Sequence, residues 1–168
     1  MKSFFLHKLE SPYTGSGDLP LVIAPQLRRT DNILFRCVSQ INSKTGAEDI
    51  TATHGWILCY LNDNRDRDIY QRDVESTFSV TGSTVTNILQ RMEKNGYIRR
   101  ESVTNDARLK KLILTDVGVA AYEKVRHSFQ EQNAQLEEIL MPEEYEAFLR
   151  LLLKIQTGLA QVQQKSTD

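Results

Sequence analysis

The stretch "VTGSTVTNILQRMEKNGYIRR", residues 80–100, decides the fold because it carries a complete helix with its start and stop signals. Thr81 is of a residue type that caps helix N-termini, and we expect its hydroxyl to accept a hydrogen bond from an amide of the first turn. The Asn95-Gly96 pair supplies a left-handed stop at the other end. A helix is therefore predicted over residues 82–95.

The two sides of this helix differ in chemistry. Apolar residues at helical spacing mark the buried side: Val85, Ile88, Leu89 and Met92. Short polar and basic residues project from the other side: Ser83, Asn87, Gln90, Arg91 and Lys94, flanked by Thr84 and Thr86. Asn and Gln bond adenine edges, Arg bonds guanine, and hydroxyls suit phosphate oxygens or base edges. This second face is suited to nucleic acid, whereas a plain solvated face more often carries Glu-Lys pairs.

Positive charge is concentrated around this helix. Residues 82–111 contain seven Lys or Arg against three acids, although the whole chain has a net charge of -1. Two segments rich in strand-forming residues, "YIRRESV" and "RLKKLILT", flank the turn "TNDA" and predict a β-hairpin. Arg108, Lys110 and Lys111 lie on its second strand, where we expect them to contact phosphates or a narrow groove. A helix pair followed by such a hairpin predicts a winged helix-turn-helix.

The remaining chain is predicted to be mainly helical, with a small β-wing. Residues 1–24, with two Pro and two Gly, are interpreted as an N-terminal arm. Further helices are predicted from Pro25, from about Thr51 and from Tyr70 to Phe78; another is capped by Thr115 and runs to about Leu140, and the last starts at Pro142.

The last helix has a regular apolar spacing of 3 and 4 residues. Its members are Tyr145, Phe148, Leu152, Ile155, Leu159 and Val162. Such a seam favours packing of one helix against another, including a helix of a second chain. An intramolecular helical bundle is the alternative.

Residues 70–118, "YQRDVESTFSVTGSTVTNILQRMEKNGYIRRESVTNDARLKKLILTDVG", resemble the MarR family of bacterial transcription regulators. The motifs that carry the resemblance are the recognition helix ending in "GYIRR", the wing element Asp106-Ala107-Arg108 and the closing Leu114-Thr115…Gly118. The likeness extends over roughly residues 25–165. One position departs from it: Gly82 stands where similar sequences often have Arg or Pro.

The resemblance implies an obligate dimer with two lobes. Residues 25–50 and 116–165 would form a helical dimerisation lobe containing the seam and, from the first helix, Leu27 and Leu34. Residues 51–115 would form the winged helix-turn-helix lobe, which reads the major groove and places Arg108 in the minor groove. Asp106 and Thr81 are counted with the DNA-binding residues. Members commonly release DNA when a small phenolic or other lipophilic ligand binds between the lobes.

The sequence therefore predicts a sequence-specific transcriptional regulator of double-stranded DNA, a homodimeric repressor released from an inverted-repeat operator by a small-molecule effector. His54, Trp56 and Tyr60 are candidate effector-pocket residues, with a surface histidine and core aromatics as the alternatives. No motif of an enzyme and no membrane segment is recognisable, no cofactor is expected, and we expect a cytoplasmic location.

Two other functions remain open. One is a metal- or redox-responsive regulator of the same fold, although the three histidines form no helical pair and we assign no metal ligands. Cys37 and Cys59 lie among apolar neighbours, and a redox-sensing thiol is the alternative to two core residues. The other is a protein-binding winged helix without a DNA role, which would leave the alignment of Asn87, Gln90 and Arg91 beside a basic wing unexplained.

Overall fold

The computed structural model describes residues 22–44, 46–47, 49–103 and 106–165, and the side chains of all of these except 106–108 and 163–164. The chain divides at residue 128 into two compact units. The predicted arm lies outside the described residues up to position 21, so its role stays a prediction. The predicted lobe boundaries likewise stay a prediction.

The first unit contains the winged helix-turn-helix. Its elements are α1 (Ile23–Lys44), α2 (Ala52–Asp63), α3 (Gln71–Phe78), α4 (Gly82–Lys94), β1 (Ile98–Val103), β2 (Asp106–Leu114) and the first part of α5 (Asp116–Ile139). The mainly helical fold with a two-stranded wing that the sequence predicts is confirmed.

The wing is an antiparallel hairpin. Ile98 pairs with Leu114, Arg100 with Leu112 and Ser102 with Lys110, and the register shifts after Ser102. Alternate residues of a strand point to opposite faces. The buried Ile98 and Leu112 therefore place one face of the wing against the core, and Arg99 and Lys111 on the other.

The core of this unit lies under α4. Val85, Leu89 and Met92 are buried, as the apolar spacing predicts, and Ile88 is half-buried. Core residues also come from α1, α2, α3, the wing, the start of α5 and the connecting segments, among them Val38, Leu58, Val74, Ile98 and Val125. Because these apolar residues of α4 are buried, the polar side of α4 faces outward.

The turn between α3 and α4 is tight. Ser79 ends α3 in the left-handed conformation, with φ 51°. The Val80 amide donates to the Glu75 carbonyl at 3.1 Å, which satisfies an end group of α3. Two helices joined in this way form the helix-turn-helix.

Two details at helix starts differ from the sequence prediction. The first helix begins at Ile23, so Pro25 lies within its first turn, where a missing amide hydrogen breaks no helical bond. Thr81 is the N-cap of α4, but the predicted bond from its hydroxyl to a backbone amide is wrong. Its Oγ1 instead lies 2.9 Å from Thr84 Oγ1 and 3.3 Å from Ser83 Oγ, because three adjacent hydroxyls bond one another.

The second unit comprises the rest of α5 and α6 (Pro142–Lys165). The Met141 amide donates to Glu144 Oε2 at 3.0 Å at the start of α6, and the Tyr145 hydroxyl donates to Asn133 Oδ1 at 2.8 Å. All of the buried apolar side chains in the described part of the chain belong to the first unit. The second unit instead leaves large apolar side chains exposed: Ile139, Met141, Phe148, Leu149, Leu151, Leu153, Leu159 and Val162.

Candidate nucleic-acid interface

The outward face of α4 is polar and basic. The side chains predicted to project from it, Ser83, Asn87, Gln90, Arg91 and Lys94, are all exposed. Asn87, Gln90, Arg91 and Lys94 together line one open hollow on the surface. The structure therefore brings an amide pair and two cations side by side on a rigid helix, which is a donor and acceptor arrangement suited to base edges.

The cations of the basic segment fall into two groups. Arg99 pairs with Glu101 at 2.9 Å, Arg100 with Glu93 at 3.3 Å, and Lys111 with Asp68. Arg91 and Lys94 form no ion pair with any residue that the structure describes. Among the described residues of the basic segment, the positive charges without a carboxylate partner are Arg91 and Lys94 on the outward face of α4 and Lys110 on the wing.

The hydroxyls of the predicted interface are partly engaged within the protein. Thr86 Oγ1 donates to the Gly82 carbonyl at 2.8 Å and accepts from Gln71 Nε2 at 2.9 Å, and Thr86 is half-buried. Thr81, Ser83 and Thr84 are exposed at the N-terminus of α4, where backbone amides and the helix dipole favour an anion. Thr86 is therefore placed between α3 and α4, while the other three remain accessible.

Gln71 is a residue of this site that the sequence prediction missed. Its Nε2 also donates to Glu75 Oε1 at 2.8 Å, and this amide joins α3 to the first turn of α4. A side chain at Gly82 would bring a Cβ to 3.0 Å from Glu75 Oε1. The atoms that such a Cβ would meet all belong to the end of the Glu75 side chain, so a substitution at position 82 would displace that carboxylate and not the backbone of either helix. The i, i+4 spacing of Gln71 and Glu75 is a sequence signal that could have identified this pair.

The wing is only partly described at its tip. The backbone of residues 106–108 belongs to β2, but the side chains of Asp106 and Arg108 lie outside what the structure describes. Their predicted groove contacts stay predictions. Lys110 is exposed, and its Nζ donates to Ser102 Oγ at 2.5 Å across the hairpin.

The three candidate effector residues contact different elements. His54 is 6% exposed, so it is not a plain surface residue. Trp56 packs edge-on against Phe35 of α1, and Tyr60 packs edge-on against Phe78 of α3, with ring centroids 5.2 and 5.8 Å apart. Trp56 remains 38% exposed.

His54 is buried and lies within the electrostatic influence of Arg91, a residue of the candidate interface. Its Nδ1 is buried and has no hydrogen-bond partner among the described residues. Burial lowers the pKa of His54 below its ordinary value, and the positive charge of Arg91 lowers it further. The neutral imidazole is therefore the form that fits the folded chain.

The alternative sensing chemistries find little support in the described residues. Burial, and next the Asp63 carboxylate, raise the pKa of the Cys59 thiol to about 11, which disfavours the reactive thiolate. No three His, Cys, Asp or Glu side chains converge on a metal-sized site within residues 22–165 where side chains are described. None of the described helices is both long and apolar enough to cross a membrane.

Known proteins share this architecture. Residues 48–109 match the model of the MarR family. Over 95 residues the chain is 27% identical to the HTH-type transcriptional regulator BilQ of Clostridioides difficile (strain CD3), an alignment that covers 56% of this chain and 63% of BilQ. The chain thus spans less than two thirds of the length of this relative.

Solved structures agree over a larger part of the chain. The crystal structure of the S. aureus MepR-DNA complex has a TM-score of 0.74 and 27% identity, covering 82% of this chain and 98% of MepR. The structure of a MarR mutant from E. coli complexed with operator DNA has a TM-score of 0.68 and 23% identity, covering 78% and 91%, and supports the fold alone. Residues 48–109, which carry the helix-turn-helix and the first part of the wing, are thus similar to the MarR family, and the fold is similar to that of MepR.

Proposed function

We propose that this chain is a sequence-specific DNA-binding transcriptional regulator. In this proposal α4 enters the major groove, Asn87, Gln90 and Arg91 contact base edges, and Ser83 and Lys94 contact phosphates. The wing, through Arg108 and Lys110, reaches the adjacent minor groove. The MepR structure with DNA, at 27% identity, supports this assignment.

The observation that carries the proposal is the outward face of α4. Its four hollow-lining residues are two amides and two cations, and neither cation is paired with a described acid. A helix face that served only solubility would more often mix Glu with Lys. A face that bound protein would be expected to present aromatic or apolar anchors, which this face lacks. The protein-binding alternative is therefore less favoured.

We propose further that the active form is a homodimer formed through the second unit. The predicted seam residues Phe148, Leu159 and Val162 are exposed, and Tyr145, Leu152 and Ile155 are half-buried. Exposed apolar side chains repeated along one helix at this spacing suit an interaction site. The half-buried Leu27 and Leu34 of α1 stay predicted members of the dimerisation lobe. A dimer would bind an inverted repeat with half-sites about 10 base pairs apart.

The regulatory part of the proposal is release by a small-molecule effector, with repression as the mode of control. Trp56, exposed beside Phe35, offers an aromatic surface that such a ligand could share. His54 and Tyr60 remain candidate contacts.

The experiment that tests DNA binding is footprinting on genomic DNA, followed by titration of the protected duplex at several salt concentrations. We expect the footprint to show a protected inverted repeat. We also expect a plot of log affinity against log salt concentration to have a negative slope of about 0.9 for each phosphate that the protein contacts. A matched Arg126→Ala variant, which removes one exposed cation from α5, should retain the wild-type slope. Absence of any salt-dependent duplex binding would show that the α4 face has another purpose.

A further inference from the structure

Lys111 differs in its surroundings from the other bases of the wing. Its ammonium pairs with the carboxylate of Asp68, in the turn that leads into α3. A backbone link lies at the same place: Tyr70 and Lys111 form an antiparallel β-bridge, in which the Leu112 amide donates to the Ile69 carbonyl at 2.8 Å. The base of the wing is thus tied to the start of α3 by one ion pair and one β-bridge.

This tie connects the two parts of the proposed interface. α3 is joined to α4 through Gln71 and Thr86, whose side chains bond at 2.9 Å. Beyond Lys111, β2 continues directly to Lys110 and Arg108. The ion pair between Asp68 and Lys111 therefore lies where it can restrict a small rotation of the wing relative to α4.

The charge of Lys111 is also poorly placed for a phosphate. The Asp68 carboxylate already compensates it, and the hydrogen bond that Lys111 donates to Asp68 raises the pKa of Lys111. A cation that keeps a protein carboxylate as its partner releases fewer counterions from DNA than an unpaired one. Arg91 and Lys94 lack such a partner among the described residues.

We propose that Asp68 and Lys111 form a latch that sets the position of the wing relative to α4, so that Lys111 is a positioning residue and not a phosphate contact. This inference rests on the proposed DNA-binding function. The sequence predicts that Lys111 contacts phosphates or a narrow groove, whereas the latch gives Lys111 an indirect role in operator binding.

The test compares four full-length variants on the footprinted operator: Asp68→Asn, Lys111→Gln, the reversed pair Asp68→Lys with Lys111→Asp, and Asp66→Asn as the control. Asp66 is an exposed acid of the same turn, so its removal reports the general effect of charge there. A latch predicts that both single variants weaken binding about threefold to fivefold, the upper range for an exposed ion pair. The reversed pair should recover affinity to within about twofold of wild type, since the pairing is restored, and Asp66→Asn should not weaken binding.

The two possible roles of Lys111, positioning residue and phosphate contact, predict opposite effects of Asp68→Asn on operator affinity. If Lys111 contacts phosphate, removing the competing carboxylate tightens binding, and the reversed pair fails to recover it. Either result, or an unchanged affinity for Asp68→Asn, overturns the latch. An equal loss in Asp66→Asn also overturns it.

A second measurement needs no DNA. Hydrogen exchange of the Leu112 amide reports opening at the base of the wing, because that amide bonds the Ile69 carbonyl. The latch predicts faster exchange in both single variants and recovery in the reversed pair, and unchanged exchange contradicts it. A wild-type chain that binds no duplex would refute the proposed function, while the exchange result would still decide whether the latch exists.

Discussion

The carbonyl oxygen of Tyr97 lies against the Cα of Gly118, so closely that no side chain fits at position 118. Thr115 holds this contact in place. Its Oγ1 donates to the Gly96 carbonyl at 2.5 Å and accepts from the Gly118 amide at 3.0 Å. The Thr115 amide also donates to the Tyr97 carbonyl at 3.1 Å. The Leu114-Thr115…Gly118 motif therefore joins the end of α4 to the start of α5.

Gly118→Ala is expected to lower the free energy of unfolding by about 1–3 kcal/mol, the usual cost of forcing extra volume into a packed site. Urea denaturation measures it. The control is Gly158→Ala, at a position in α6 with no heavy atom within 4 Å of a new Cβ. That change should stabilise the chain by about 0.5–1 kcal/mol, since alanine is the better helix former. Equal stability of Gly118→Ala and wild type would contradict the described contact.

Much of this arrangement was predictable because its signals are local. The helix start at Thr81, the cap at Thr115, the stop at Gly96 and the apolar side of α4 depend on residues within one or two turns of each other, although the capping bond predicted for Thr81 does not form. The same is true of the exposed polar face of α4. Periodicity alone determines which residues share a side of a helix.

The features that could not be predicted are contacts between residues far apart in the sequence. Lys111 was expected to face phosphate, because no local pattern indicates that it pairs with Asp68, which lies 43 positions earlier in the sequence. Thr86 was expected at the interface, whereas Gln71 engages its hydroxyl. The burial of His54 likewise depends on packing that no local pattern encodes.

The stability of the chain is expected to fall in mild acid because of His54. Its pKa in the folded state lies below the ordinary value of 6.5, since burial and then Arg91 disfavour the charged form. When the pH falls below 6.5, His54 of the unfolded chain binds a proton more readily than His54 of the folded chain. The free energy of unfolding is therefore highest above pH 6.5 and decreases as the pH falls below it. Urea denaturation between pH 8 and pH 5, chosen as roughly the window around a histidine pKa, measures the loss.

His54→Gln should flatten this dependence, although it lowers stability at neutral pH. A His54→Gln profile with the full wild-type slope would assign the acid sensitivity to other groups.

The second unit is expected to dimerise through the seam of α6. Leu159 is 59% exposed in the single chain, and Leu159→Glu would place a charge in the proposed contact, where its desolvation is costly. Sedimentation at micromolar concentration should show a dimer for wild type and a shift toward monomer for this variant. Gln156→Glu adds the same charge at an exposed position of the same helix and tests whether charge alone is responsible. A monomeric wild type would remove the dimer and, with it, the expected inverted repeat.

The central claim is that the outward face of α4 reads base edges. The most direct measurement compares the affinity of Asn87→Ala for the footprinted operator with its affinity for operators that are each changed at one base pair. The claim predicts that the variant loses about 1–3 kcal/mol of discrimination at one base pair and keeps it at the others. Thr77→Ala, an exposed change on α3, should keep discrimination at every position. A uniform loss across all duplexes would assign Asn87 to the phosphate backbone, and full discrimination in Asn87→Ala would contradict the claim for this residue.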